Sequence, residues 1–302
     1  MIKISVILTT YNSEGQIQEV IDSIHKQEGR DELFELELIV VDDCSADSTT
    51  DILDSMNISF ISTRKNTGGP NKGRNIAISQ CKGDFICIAD HDDVWFPNKI
   101  SELISVSDLA PIITSGYILE DASSGRKEER VNKSSSDFVE YKKNETFLTK
   151  LTKSKIGQQT YLGSIMFNST LRNIKFEEDF GMIDFDWVLN IFHNNYSVEL
   201  CKLLYVRRVG KDNLSLNETY RINDYNRSLQ TILSYKNEFS KEVALSEKRI
   251  NGSMGRYYYL IGNMRLARVY FLKSRRELKT ILYLITTFVG SKIVKRYFKI
   301  FG

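Results

Sequence analysis

The chain is poor in cysteine. Its four, Cys44, Cys81, Cys87 and Cys201, lie far apart and form no C-x-x-C pair. That spacing argues against a zinc site or a disulfide framework and suits a reducing compartment. Three of the four follow or sit within apolar runs, as buried thiols do. Long apolar runs are missing too. The uncharged stretch from Thr280 to Ser291 falls short of the about 20 residues that a bilayer span needs. Met1-Ile2-Lys3-Ile4-Ser5-Val6 enters a strand pattern directly, without the pattern of a signal peptide. Neither a G-x-G-x-x-G fingerprint nor the G-K-[ST] of a P-loop is present, and no internal repeat is seen.

What remains is the composition of an ordinary soluble protein, 41% hydrophobic and 26% charged over 302 residues. The net charge of +2 hides an asymmetry: residues 256–302 carry +10 and the other 255 residues −8. A basic tail on an acidic body points to an anionic partner for the tail.

The first third alternates strand and helix. Ile4–Leu8 reads as a strand, and Ser13 with Gln16 as a capping box. Ile17, Val20, Ile21 and Ile24 then fall at helical spacing. Strands follow at 36–41, 58–62 and 85–89, with helices at 48–56 and 71–80 and another opened by Pro97. Repeated β-α-β units predict an α/β fold with a mostly parallel sheet between helices. Such sheets bind ligands beyond the carboxyl ends of their strands. Each strand here ends in polar residues: Thr9-Thr10-Tyr11-Asn12, Asp42-Asp43, Arg64-Lys65-Asn66 and Asp90-His91-Asp92-Asp93. Parallel strands would bring all four clusters to one rim. Residues 121–145 read as a surface loop or short hairpin, 161–167 as a strand, 184–193 as a helix, and everything beyond about 218 as helical.

Several of these clusters suggest chemistry. Asp90 and Asp92, two apart beyond a strand, could present hard oxygens to Mg²⁺ or Mn²⁺, or could form a solvated turn that caps the next helix. Asp43 could accept from a base N–H or a ribose hydroxyl, or serve as an N-cap. The loop from Lys65 through Asn66 to Asn75 carries glycines that permit close backbone approach, and Lys72 or Arg74 could meet phosphate. Asp184 and Asp186 open an aromatic helix. A carboxylate there could be a base with a raised pKa, or simply an acid favoured at a helix N-terminus.

In order along the chain, VILTTYN (6–12), VVDDCSAD (40–47), NTGGPNKGRNIAI (66–78), ADHDDVW (89–95) and IDFDWVL (183–189) resemble the family 2 inverting glycosyltransferases of the GT-A fold. The resemblance covers about residues 2–215 and implies a glycosyltransferase domain at 1–217. Its nucleotide-sugar-binding half would be 1–110 and its acceptor-side half 111–217, with a basic helical region at 218–302. It implies hexosyl or N-acetylhexosaminyl transfer from a nucleotide-sugar, a UDP-sugar foremost, to a glycan or lipid-linked acceptor in surface polysaccharide biosynthesis. Thr9, Tyr11, Asp43, Asn66, Arg74 and Asp90 would then bind the donor. Asp92 and Asp90 would hold Mn²⁺ or Mg²⁺, Asp184 would be the general base, and Gly163, Ser164 and Trp187 would line the acceptor side.

Two positions depart from the family pattern. Ile183 replaces the Glu of an E-D pair, and Val209 stands where a His often helps the metal. A binding module without turnover is therefore a second reading. A nucleotidyltransferase is a third, but Thr9-Thr10-Tyr11-Asn12-Ser13-Glu14 lacks the basic glycine loop expected after its first strand. The implied place is the cytoplasm, peripherally at the inner face of the membrane. For the tail, an anionic membrane surface and packing on the catalytic domain both stay open. Nucleic acid is set aside because no reading module is present.

Overall fold

The computed structural model describes residues 1–154, 157–210 and 217–289. The rest of the tail, with Lys292, Lys295, Arg296 and Lys299, and residues 211–215 of the stretch after the Arg pair lie outside the described residues. Contacts divide the chain into two compact units, Met1–Phe147 with Ile156–Asp212, and Leu148–Lys155 with Asn213–Gly302. A linear reading with one break at 217 could not show that the segment 148–155 belongs with the second unit.

The first unit begins β1 (Ile2–Thr10), α1 (Ile17–His25), β2 (Phe34–Asp42), α2 (Thr49–Ser55), β3 (Phe60–Ser62), α3 (Pro70–Gln80) and β4 (Phe85–Asp90). It continues with β5 (Val94–Trp95), α4 (Lys99–Ile104), β6 (Ile112–Asp121), β7 (Lys127–Arg130), β8 (Phe138–Tyr141), α5 (Glu145–Leu151), of which the part from Leu148 belongs with the second unit, β9 (Met166–Asn168), α6 (Phe185–Phe192) and β10 (Ser197–Val209). The second unit holds α7 (Glu218–Ser234), α8 (Ser240–Ile261), α9 (Met264–Lys273) and α10 (Leu278–Thr286). No helix among the described residues is long and apolar enough to cross a membrane.

The ten described strands form one sheet, ordered β3-β2-β1-β4-β9-β6-β10-β5, with β7 on β6 and β8 on β10. From β3 to β4 every pairing is parallel, as the β-α-β reading requires. Beyond β4 the sheet is mixed: β9 pairs antiparallel with β4 and β6, while β10 runs parallel to β6. Central β1 is buried from Ile4 to Thr10, because helices cover both faces of a parallel sheet and leave no solvent side. The polar stretch 121–145 contains the hairpin partner β7 and the short β8.

α1 buries Ile17, Val20, Ile21 and Ile24, each worth roughly 1.5–3 kcal/mol in transfer terms. The capping box does not form. The helix starts at Ile17 with no side-chain cap, and the Ser13 hydroxyl donates instead to the Tyr11 carbonyl. The main-chain carbonyl of Ser13 closes the entry turn by accepting from Gln16 and Ile17. The expected strand at 161–167 resolves into a 3-10 turn, Leu162–Ser164, followed by β9.

Candidate functional site

The strand order reverses between β1 and β4, since β2 and β3 lie to one side of β1 and β4 to the other. At such a switch point the loops leave in opposite directions and open a crevice. The register sets Thr9 opposite Asp90, Thr10 opposite Asp42, and Asp42 opposite Ser62. The four polar strand ends therefore share one rim.

On the β2 side, Asp43 is buried and shapes a loop. Its Oδ1 accepts from Thr63 Oγ1 at 2.8 Å and Thr67 Oγ1 at 2.9 Å, and its Oδ2 from the Thr67 amide at 3.0 Å. It is not an N-cap: α2 is preceded by Ser48, and Asp47 is the carboxylate that bonds Thr49. Asn66 is exposed and its Oδ1 accepts from the Gly68 amide at 2.8 Å. Tyr11 stands exposed just past β1, whereas Thr9 is buried. The Thr10 hydroxyl is buried and makes no hydrogen bond within the protein.

α3 joins this rim to the segment that carries Asp184. Asn71 Nδ2 donates to Glu177 Oε1 at 3.1 Å and to the Ile183 carbonyl at 2.9 Å. Asn75 bonds Phe176 through both its amide groups and reaches Glu178 Oε1 at 2.7 Å. Between them Arg74 donates to Asn71 Oδ1 at 3.0 Å and to Asp90 Oδ1 at 2.6 Å, with Phe176 beneath its guanidinium. Gly69 is required by close approach: a Cβ there would lie 2.3 Å from the Gly181 carbonyl oxygen. Buried Glu177 accepts from the amides of Phe180, Met182 and Ile183 and so folds the turn that delivers Asp184 to the start of α6. A relay of three hydrogen bonds thus runs from Ile183 through Asn71 and Arg74 to Asp90. Lys72 is exposed and takes no part in it.

The acidic loop is held from behind. Trp95 is buried and β5 pairs with Tyr205 and Val206 of β10. Gln27 bonds the Phe96 carbonyl at 2.8 Å, and the Pro97 carbonyl accepts from the Glu28 amide at 2.8 Å. Trp95-Phe96-Pro97 thus anchors the loop, and the helix expected to open at Pro97 begins at Lys99 with Asn98 as its cap position. Lys99 is buried against the Trp95 and Tyr205 rings, its ammonium 3.9 and 4.3 Å from their centroids, and donates to the Gly163 carbonyl at 2.5 Å. Burial pulls its pKa down to about 8, against the opposing pull of the nearby Asp93 and Asp90 carboxyls. A Cβ on Gly163 would meet Asp93 Oδ2 at 2.5 Å, so only glycine fits.

The surroundings push the three acids in different directions. Burial opposes ionisation of Asp90, but the charge and hydrogen bond of Arg74 outweigh it and hold the carboxyl below its ordinary range. Burial and the neighbouring Asp90 push Asp92 up. Asp93 is pushed up further, by burial and by both other acids. Among the described residues no three His, Cys, Asp or Glu side chains converge as a metal cage. Two half-buried carboxylates two apart, with negative charge in excess of the single Arg74 partner, still offer a donor set that fits a hard divalent cation.

The three residues expected on the acceptor side are engaged within the protein. Trp187 is fully buried, stacked on Phe176 at 4.5 Å with its indole N–H on the Ile174 carbonyl. The Ser164 hydroxyl is turned inward onto the Tyr161 carbonyl at 2.6 Å. The Gly163 carbonyl is taken by Lys99. An apolar helix face and a tight 3-10 turn bury what they carry. Asp184 itself is half-buried, and Asp186 is buried.

Sequence reading missed Asn71, Asn75, Glu177, Asp93 and Lys99. The signal for the first two was there, since two amides four apart on one helix with Arg74 between them share a face. Lys99 gave none, because a lysine at a helix start ordinarily lies in water. Val209 ends β10, whose Arg208 forms a two-pronged pair with Glu19 and whose Arg207 lies 4.1 Å over the Tyr161 ring.

Comparison with known proteins bears on the same region. Residues 5–174 match the family described as Glycosyl transferase family 2. Among curated relatives, the poly(ribitol-phosphate) beta-N-acetylglucosaminyltransferase TarS of Staphylococcus aureus is 42% identical over 97 residues, which is 31% of this chain and 17% of TarS. The GalNAc(5)-diNAcBac-PP-undecaprenol beta-1,3-glucosyltransferase of Campylobacter jejuni is 26% identical over 185 residues, 60% of this chain and 56% of that protein. These matches span about a sixth to a half of the relatives' lengths. Among solved structures, S. aureus TarS 1–349 superposes with a TM-score of 0.59 at 21% identity, covering 97% of this chain and 91% of that one. A mannosyltransferase from Pyrobaculum calidifontis, in complex with GDP-Man and Mn²⁺, gives 0.58 at 16% identity, covering 95% and 79%. At these identities the likeness shows the fold, GT-A with C-terminal helices.

Proposed function

The chain belongs to glycosyl transferase family 2, and from that premise we propose that it moves a sugar, with inversion, from a UDP-sugar to a hydroxyl of a glycan or lipid-linked acceptor. The observation that carries this reading is the relay from Ile183 through Asn71 and Arg74 to Asp90, which ties the Asp184 turn to the acidic rim. The relatives act, by their names, on a poly(ribitol-phosphate) and on an undecaprenol-linked glycan, and TarS 1–349 was solved with UDP-GlcNAc. That supports a UDP-sugar and a surface-glycan acceptor here.

In this reading Tyr11 offers its exposed ring to the base, and Asn66 and the Thr67 loop built by Asp43 line the nucleotide. Asp90 and Asp92 would hold Mn²⁺ or Mg²⁺, which when bound offsets charge on the departing diphosphate. Arg74 keeps Asp90 ionised for that task. Asp184 takes the proton of the acceptor hydroxyl as its oxygen attacks the anomeric carbon. The bond from that carbon to the diphosphate oxygen breaks on the opposite face, and one displacement inverts the centre.

Purified protein assayed against UDP-, GDP- and dTDP-sugars should release nucleotide only with a divalent cation, and Asp92→Ala and Asp184→Asn should each lower it by about a thousandfold. UDP with Mn²⁺ should raise Tm more than UDP with chelator; equal shifts would count against a metal-bridged diphosphate. Ile183 and Val209, which replace an acid and an imidazole of the family pattern, favour one competitor. That competitor is a nucleotide-sugar-binding module, recognised by calorimetric binding of donor with no turnover on any donor.

A further inference from the structure

α10 is amphipathic in the inverted sense. At 3.6 residues per turn Thr280, Tyr283 and Thr287 share one side of the helix, and all three are buried. Tyr283 packs on the Tyr259 and Phe271 rings, Thr286 accepts from the Tyr259 hydroxyl at 2.9 Å, and Arg268 bonds the Thr287 carbonyl at 3.2 Å. These contacts dock α10 on α8 and α9 and fix its rotation. The opposite stripe, Leu278, Ile281, Leu282, Ile285 and then Phe288 and Val289, is left in water, with Leu278 74% and Phe288 75% exposed. Lys279 is the only charged residue on α10. A scattered exposed leucine is ordinary, but a contiguous apolar stripe marks an interaction site.

The surroundings of the stripe say what covers it. Arg275, Arg276 and Lys279 are exposed at its N-terminal end, and Arg265 and Lys273 are exposed on α9. The one acid nearby, Glu277, is paired with Arg275 at 3.1 Å. The sequence beyond, 290–302, adds four basic residues and no acid. A protein partner with an apolar face would not call for this excess, and a second copy would bring the same positive charge against itself. Apolar side chains flanked by an excess of exposed cations over acids fit the boundary between acyl chains and anionic headgroups.

We propose that the α10 stripe and its basic flank dock the protein on an anionic phospholipid bilayer, with Leu282, Ile285 and Phe288 entering the acyl boundary and Arg275, Arg276 and Lys279 meeting phosphates. This surface stands apart from the transfer reaction, so vesicle binding and sugar transfer can fail separately. The test is sedimentation of the full chain with phosphatidylcholine vesicles, with and without about a third phosphatidylglycerol. Binding should appear with the anionic lipid and weaken as salt shortens the screening length. Ile285→Glu with Phe288→Glu should reduce it by about tenfold or more, and Arg275→Glu, Arg276→Glu and Lys279→Glu together by a similar factor. Tm should hold in both variants, since none of the five side chains is buried. Equal binding to neutral and anionic vesicles, or undiminished binding by the Ile285/Phe288 variant, would overturn the proposal. So would a lipid-free dimer in light scattering that the Ile285/Phe288 variant dissociates, because a second copy would then cover the stripe.

Discussion

The acidic rim and the C-terminal helices both invert the usual placement of charge outside and apolar surface inside, in opposite directions. At the rim, Arg74, Lys99, Asp93 and Glu177 are buried. On α10, Leu278, Ile285 and Phe288 face water. The rim compensates internally: Arg74 has Asp90 and Asn71, Glu177 takes three backbone amides, and Lys99 has a carbonyl and two rings. Apart from the Arg268 guanidinium 4.9 Å over the Phe288 ring, the α10 stripe has no such internal compensation among the described residues, so its cover must come from outside. A buried charge with its partners in place is a finished structure, whereas an exposed apolar stripe is half of an interface.

The comparison can be sharpened most by placing the same substitution on two helices of like periodicity. Ile21 of α1 and Ile285 of α10 both sit on apolar stripes, one covered and one not. Ile21→Asp should cost about 4 kcal/mol or prevent folding, and Ile285→Asp should stay within about 0.5 kcal/mol, read by chemical denaturation. An equal loss at both sites would break the contrast. Next is Asp184→Asn, which should lower kcat about a thousandfold, or about 4 kcal/mol, while leaving Tm within a degree or so. A fall in Tm comparable to that of a core variant would make Asp184 structural instead.

Asn75→Ala should cost about 1–3 kcal/mol, because it leaves the Phe176 amide and carbonyl without partners. It should also lower kcat more than it raises KM, since the Asp184 turn hangs on that clamp. The smallest effect is Lys99→Met. The folded chain holds Lys99 near pKa 8, facing Asp93, Asp90 and Cys87, while the unfolded chain keeps its proton to about 10.4. Between those values the unfolded state binds the extra proton, so this group's contribution to stability rises with pH across the window and is lowest below about 8. The Tm of the native protein relative to the variant should therefore climb by a few degrees from pH 8 to 10. A flat difference would show that Lys99 carries no depressed pKa.

Much of the first unit was legible because its signals are local. The apolar runs of β1, β2 and β4, the period of α1 and the polar strand ends all lie within single elements, and parallel pairing then obliges the ends to meet. The capping box failed because the main-chain carbonyl of Ser13 was enlisted in the turn after β1, a choice made by tertiary placement. The acceptor-side place of Trp187 came from the family resemblance alone, and only its stacking on Phe176, eleven positions earlier, shows that its ring is buried.

The sequence alone determined the strands and helices of the first third, which strand ends are acidic and which stripe of α1 is apolar, because backbone periodicity and side-chain chemistry are properties of neighbours in the chain. Tertiary structure alone decided that Arg74 neutralises Asp90, that Asn71 and Asn75 fasten the Asp184 turn, that Lys99 lies under the acids, and that α10 turns its leucines to water. Each of those depends on what arrives from a distant part of the chain to share or withhold cover, and burial, unlike periodicity, is set by that arrival.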